Sequence, residues 1–411
     1  MRKLRLLVLS GGLLLATVLG GCMKDKIEAL KLPAQQEAQQ KAIDEDFVTA
    51  MADYAVKVFQ ASLSDSENTM ISPPSLLIAL AFCANGASGA TQSEMLDLLG
   101  GFEMASLNAY LASYSELLSR GELLKVANSL WISDRPDVQV LPGFLQVAAD
   151  YYQAEVYQEK FSEATVKAIN KWVDAKTNGL ITDIIDELDP EVLICLINAI
   201  VFEAKWAEVY DLEQVHPGEF IDVNRNSKSV AFMHSKEEYY LKDDLADGFI
   251  KYYEGYKYAF VALLPSQELA LNDYIAQLDG AALMNLLANK KEATVYAALP
   301  KFKYETSLKM PEILRSLGMT TAFDPQAADF SKMLDLSKRN DNVFIGDIIH
   351  KTYIQVDELG TKAGAVTAIL MCGTAAPLEI YEVNLNRPFL YLIIDTESSL
   401  PIFIGSVQTI E

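Results

Sequence analysis

The chain has 411 residues, with 56 acidic against 34 basic side chains, three histidines and a formal charge of −22. An acid excess of this size argues against nucleic acid and against sulfated glycosaminoglycans as partners, since both are polyanions. Four cysteines, Cys22, Cys83, Cys195 and Cys372, contain no Cys-x-x-Cys pair and no even framework beside Cys22, so neither a disulfide scaffold nor a thiolate metal site is supported.

Residues 1–21 read as an export leader: Arg2, Lys3 and Arg5 precede an apolar run from Leu6 to Leu19 that is short for a membrane span. The run closes on Leu19-Gly20-Gly21-Cys22, which resembles a bacterial lipoprotein box, whose cysteine thiol receives a diacylglyceryl group. Two acyl chains on Cys22 and one on the new amino terminus exceed the requirement for stable anchoring, so a membrane is an expected partner through that lipid. Loss of the three leader cations takes the charge from −22 to −25. Met23 stands where Asp favours inner-membrane retention in some bacteria, so the expected address is the outer membrane or cell surface of a Gram-negative bacterium. Residues 22–46, rich in Gln, Ala, Lys and Glu, read as a tether or loosely helical spacer, and residues 47–411 as one domain without an interior linker.

From Phe47 to about Arg120 the spacing predicts helices, one over Phe47–Leu63 and one opened by a Thr91-x-x-Glu94 capping box and stopped by Gly100 and Gly101. A strand is expected over Leu123–Ile132, a helix over Ala164–Lys176 ending at Asn178-Gly179, and a doubly covered central strand in the apolar run Val192–Trp206. Further strands are expected at 218–234, 249–264, 292–310 and 344–357, helical pieces at 271–289 and 309–317, and two terminal strands, Pro388–Ile394 and Pro401–Val407. Helices first, long strands next and a mixture after them make the class α+β. Cys83 and Cys195 lie in apolar runs and are expected as inert core residues.

The common catalytic signatures are missing: there is no GxSxG elbow, HExxH, GxGxxG or GxxxxGK, and His216, His234 and His350 are far apart in sequence. No cofactor or metal is implied.

Several separated segments resemble the serpin family, in its order and spacing, from about Phe47 to Val407. They are Ile71-Ser72-Pro73-Pro74-Ser75, Asn128-Ser129-Leu130-Trp131, Ile169-Asn170-Lys171-Trp172-Val173 with Thr177-Asn178-Gly179, and Asn198-Ala199-Ile200-Val201-Phe202 with Trp206. After them come Leu299-Pro300-Lys301-Phe302, His350-Lys351, Asp357-Glu358-Leu359-Gly360-Thr361, Asn386-Arg387-Pro388-Phe389 and Phe403-Ile404-Gly405. The resemblance implies a large central sheet that opens to accept a reactive-centre loop, here about residues 358–380. It implies a shutter of Ser72, Ser75, Asn198 and His350 beneath the opening, whose polar groups hold facing strands and exchange partners when these part. It also implies a breach at the top of the sheet, made by Trp206, Lys301 and Glu358, with a Lys301–Glu358 ion pair steadying the hinge.

In the loop, Thr361, Ala363, Ala365 and Thr367 project to one face of an extended chain, followed by Ile369 and Met371. Small residues at the leading end of that face meet least resistance if the loop enters the sheet. Lys362 stands where the family more often has Glu, and Gly364 where it more often has Ala; both lie on the solvent side. Hinge residues are therefore expected at Glu358, Gly360, Thr361, Ala363, Ala365 and Thr367. Counting forward from Gly360 by the family's usual distance, and back from Asn386-Arg387-Pro388-Phe389 at the spacing of the longer-loop serpins, the resemblance implies a scissile bond at Thr374-Ala375, with Met371 and Cys372 as alternatives. No Lys or Arg lies between Lys362 and Arg387, and no aromatic between Leu359 and Tyr381, so small-pocket, elastase-like serine proteases are the expected targets. Papain-like cysteine proteases remain open as targets. The expected activity is thus covalent inhibition of a protease by a monomer that is not itself an enzyme. The alternatives are a non-inhibitory serpin acting as a carrier, which would show bulky, charged or Pro residues on the inserting face, and a surface lipoprotein of another class.

Overall fold

The structure is a computed structural model and describes residues 27–30, 32–35, 38–119, 123–152, 154–188, 192–339, 341–361 and 379–410. Asp44 starts α1 (Glu45–Ser62): its carboxylate accepts the Phe47 N–H at 3.0 Å, and Glu45 and Asp46 sit where the helix dipole favours negative charge. One face of α1 buries Phe47, Met51, Tyr54, Val58 and Phe59. After β1 (Thr69–Ile71), two prolines open α2 (Pro73–Gly86), which is buried almost all round, as a helix enclosed on every side must be.

Next come α3 (Gly89–Leu98), α4 (Met104–Ser119), β2 (Leu124–Ser133), β3 (Gln139–Val140), α5 (Pro142–Val147), β4 (Glu155–Glu159) and α6 (Glu163–Lys176). The helix α6 ends as its sequence predicts, with Asn178 and Gly179 at φ 54° and 78°. The expected capping box does not form. Thr91 lies inside α3, where its hydroxyl accepts the Asp329 N–H at 2.9 Å, and Glu94 accepts the N–H groups of Thr320 and Thr321, each at 2.7 Å. Both side chains bond the neighbouring 320–329 segment instead of their own helix. The described part of 27–44 is not helical either: the Leu30 N–H donates to Val156 O at 2.7 Å and the Lys41 N–H to Ala109 O at 3.0 Å, so this stretch lies along the body.

The second half begins with β5 (Ile194–Phe202), β6 (Ala204–Lys205), β7 (Val215–Ile221), β8 (Ser227–Lys242), β9 (Ala246–Tyr252) and β10 (Tyr258–Pro265). It continues with α7 (Leu271–Ile275), α8 (Gly280–Ala288), β11 (Lys291–Pro300), β12 (Phe302–Lys309), α9 (Met310–Ser316) and β13 (Leu334–Asp335). Last are β14 (Asp347–Asp357), β15 (Gly360–Thr361), β16 (Ile380–Asn384), β17 (Phe389–Asp395) and β18 (Pro401–Val407). Four expected single elements are pairs. The segment 218–234 is broken by a turn in which Asp222 accepts the Asn226 N–H at 2.8 Å, and 249–264 by a turn with Gly255 and Tyr256 at positive φ. Lys301 divides 292–310 between β11 and β12. In 271–289 a new start at Asp279, whose carboxylate accepts the Ala282 N–H, separates α7 from α8.

One sheet runs β4-β2-β5-β14-β15-β6, with β12 on the other side of β14; the larger sheet runs β1-β18-β17-β10-β9-β8-β11-β16, with β7 beside β8. Parallel pairs, β2 with β4 and β5 with β14, make the first sheet mixed, and the class is α+β as expected. All nine residues of β5 are buried. Ile194, Leu196, Ile200 and Phe202 face the main core with α2, while Cys195, Ile197, Ala199 and Val201 face a second core with Ile169 and Val173 of α6. The apolar run is therefore the doubly covered strand that its composition predicts. Cys83 and Cys195 are free and buried, and burial pushes the Cys83 thiol up to about 12 and that of Cys195 higher still.

Candidate functional site

The seam between β5 and β14 is crossed by a row of polar side chains. Asn128 of β2 pairs with Asn198 of β5, and Asn198 with His350 of β14, so all three stand side by side. His350 Nδ1 lies 2.5 Å from Asn198 Oδ1, and Nε2 lies 3.0 Å from the Ser72 nitrogen. The amide oxygen can only accept and the Ser72 N–H can only donate, so the proton sits on Nδ1 and the ring is neutral. Burial alone pulls the His350 pKa down to about 3. The Asn198 amide donates to Asn128 Oδ1 and Ser75 Oγ, each at 2.5 Å, and Ser72 Oγ donates to Ile402 O at 2.8 Å. The four expected shutter residues therefore meet, and the short N-terminal turn of α2 carries two of them under the seam. Asn128 is a fifth member that its sequence motif, read only as a strand signature, does not reveal.

Parting β5 from β14 breaks the parallel ladder from Asp347↔Cys195 to Thr352↔Ile200 and the His350–Asn198 bond with it. A buried polar group left unpaired costs about 1–3 kcal/mol, so the opened seam is unfavourable until a new strand supplies partners.

At the top of the sheet the breach residues also come together. Lys301 and Glu358 form an ion pair with about a third or less of each side chain exposed, and the hydrogen bond from Lys301 holds the Glu358 carboxyl below its usual range. Trp206 is buried, stacked on Tyr253 at 4.6 Å, and its ring N–H donates to Asp357 O at 2.8 Å. The Trp206 and Tyr210 N–H groups donate to Leu359 O and Glu358 O, each at 3.0 Å. Beneath them lies a buried ion pair that nothing in the sequence announces: Lys251 Nζ is 2.9 Å from Glu237 and 4.4 Å from the centre of the Tyr210 ring.

The hinge is already partly in the sheet. Gly360 and Thr361 stand between β14 and β6, with Thr361 opposite Val356 on one side and Ala204 on the other. Thr361 is 2% exposed, and its hydroxyl lies 2.7 Å from the Tyr253 hydroxyl. Gly360 has φ 152°, and a Cβ there would lie 2.1 Å from Ala204 O, so only glycine lets the chain turn into this slot. Cys22 and the loop residues Ala363, Ala365, Thr367, Met371, Cys372, Thr374 and Ala375 lie outside the described residues.

A family model described as Serpin (serine protease inhibitor) matches residues 49–410. The structure is similar to the native state of tengpin, a thermophilic serpin, at TM-score 0.88 and 43% identity over 93% of this chain and 100% of that one. Against the latent state of tengpin the TM-score is 0.80 at 44% identity, over 90% and 100% of the two chains. An uncharacterised serpin-like protein of Thermococcus kodakarensis is 28% identical over 92% of this chain and 88% of its own length. Motif order, sheet topology, shutter, breach and these likenesses agree: the chain belongs to the serpin family.

Proposed function

We propose that this serpin is an exported, lipid-anchored suicide-substrate inhibitor of elastase-like serine proteases. The observation that carries the reading is the hinge: Gly360 and Thr361 already pair between β14 and β6, directly above the β5–β14 seam that a further strand would have to open. The next residues on the same face, Ala363, Ala365 and Thr367, are small. The greater likeness to native than to latent tengpin supports a state in which insertion is started and not completed.

In this reading the protease serine Oγ attacks the Thr374 carbonyl, an ester forms, and the peptide bond to Ala375 breaks. The protease histidine passes the serine proton to the departing Ala375 amine. The freed segment then follows Thr361 down the seam. Residues 361–374 span about 45 Å when extended, enough to carry the tethered protease along the sheet and distort its oxyanion site before water cleaves the ester. The trap is kinetic, and the intact state is protected by a barrier. The lipid on Cys22 would hold the inhibitor at the outer membrane or cell surface.

The test is incubation with elastase-like, chymotrypsin-like, trypsin-like and papain-like proteases, read on denaturing gels and by mass spectrometry. The expected product is a denaturant-stable species at the summed mass with an elastase-like enzyme, and a released peptide beginning at Ala375. Loop cleavage with no such species across the panel would reject inhibition and favour the carrier reading.

A further inference from the structure

Of the three histidines, His350 is fully buried in the seam, whereas His216 and His234 are both exposed. Though 18 residues apart in the chain, these two are neighbours in space. The β7–β8 register places His216 opposite Phe232, so His234, two residues further along β8, lies diagonally across the same face. Their ring centres are 5.5 Å apart and the planes are tilted by 45°. We propose that His216 and His234 form a two-imidazole site for a divalent first-row transition-metal ion of the Zn²⁺ or Cu²⁺ class, with water in the remaining positions.

The spacing is that of two ligands on one ion. A zinc–nitrogen bond is about 2.0–2.1 Å and an imidazole nitrogen lies roughly 1.1 Å from its ring centre, so two rings on a tetrahedral ion have centres about 5.2 Å apart. The observed separation of ring centres, 5.5 Å, is close to that value. Imidazole ligands select zinc, copper and nickel over calcium and magnesium, which take oxygen. Among the described residues no group of three or more His, Cys, Asp or Glu is assembled for a metal, so this ion keeps open positions and is exchangeable.

The site also has a structural neighbour of consequence. The Gln214 amide donates to His234 O at 3.1 Å, the Tyr210 hydroxyl lies 3.3 Å from Ser235 Oγ, and the Tyr210 N–H holds Glu358 O. A bound ion ties β7 to β8 beside the 210–216 stretch, which clamps the hinge. Metal binding itself is independent of whether the chain inhibits any protease.

The experiment uses the full-length protein carrying Cys372→Ser, which removes the loop thiol as a competing ligand, with Cu²⁺ or Zn²⁺ alone as the probe. Equilibrium dialysis should find one ion per chain, and the Cu²⁺ paramagnetic resonance spectrum should show two nitrogen ligands. His216→Ala and His234→Ala should each weaken binding by at least about tenfold. Unchanged binding in both variants, or a spectrum without two nitrogens, would overturn the site. A second measurement needs no histidine variant: saturating Zn²⁺ should protect both His216 and His234 from carbethoxylation by diethyl pyrocarbonate, and undiminished modification of either would overturn it as well.

Discussion

Acid should unlatch the seam, and His350 supplies the reason. In the closed sheet its pKa is lowered to about 3 by burial, against 6.5 for the free side chain. A group that is harder to protonate in the native state makes the native state bind fewer protons than the opened one, so this contribution to stability is full above pH 6.5. It is lost as pH falls towards 3. At pH 5 an exposed imidazole is protonated about thirty times over, while the buried one stays neutral, so opening becomes roughly thirtyfold more favourable, about 2 kcal/mol. Carboxylates held below their usual range, such as Glu155 at about 2, add their own acid sensitivity only at lower pH. The assay is the rate of spontaneous sheet opening at pH 7 and pH 5, followed by binding of a peptide that copies residues 361–374. His350→Gln, which keeps hydrogen-bonding capacity without a titrating proton, should flatten the pH dependence. An equal acceleration in wild type and variant, or none in either, would refute the reasoning.

Thr361→Arg places a charge at a site that is 2% exposed between β14 and β6. An unpaired buried charge costs several kcal/mol, and 3 kcal/mol slows insertion about 150-fold, so the protein should turn from inhibitor into substrate; an unchanged yield of covalent complex would contradict this. Glu358→Gln removes an ion pair worth about 1 kcal/mol and should speed hinge release about fivefold in stopped-flow measurements of complex formation, whereas an unchanged or slower rate would reject its role as a latch. Cys22→Ser should move the protein from the membrane fraction to the soluble fraction on sedimentation, and continued sedimentation with membranes would reject the anchor.

The central strand was legible because a nine-residue stretch that is apolar at every position but Asn198, and covered on both sides, needs no partner to be recognised. The shutter was legible through motif order, which brings Ser72, Ser75, Asn198 and His350 to one point although no two of their segments are close in sequence. Turns were harder to read. The break at 222–226 carries no Gly or Pro, and its signal is the Asp222 side chain folding back on the Asn226 N–H with Arg225 at φ 64°. The α7–α8 break was signalled by Asp279-Gly280, a cap that the periodic apolar pattern on both sides obscures. The residues of β15, Gly360 and Thr361, were legible as part of the hinge motif but carry no strand signature, because the two-residue strand exists only where β14 and β6 leave room for it. For the same reason the Lys251–Glu237 pair and the His216–His234 pair are products of strand register, which alternation alone does not determine.

The most direct measurement of the account is the melting temperature before and after a single cut between residues 362 and 378. If the loop completes the path that Gly360 and Thr361 begin, the cut chain gains a central strand and should melt well above the intact protein. A cut that leaves the melting temperature unchanged, or lowers it, would contradict insertion and with it the proposed mechanism.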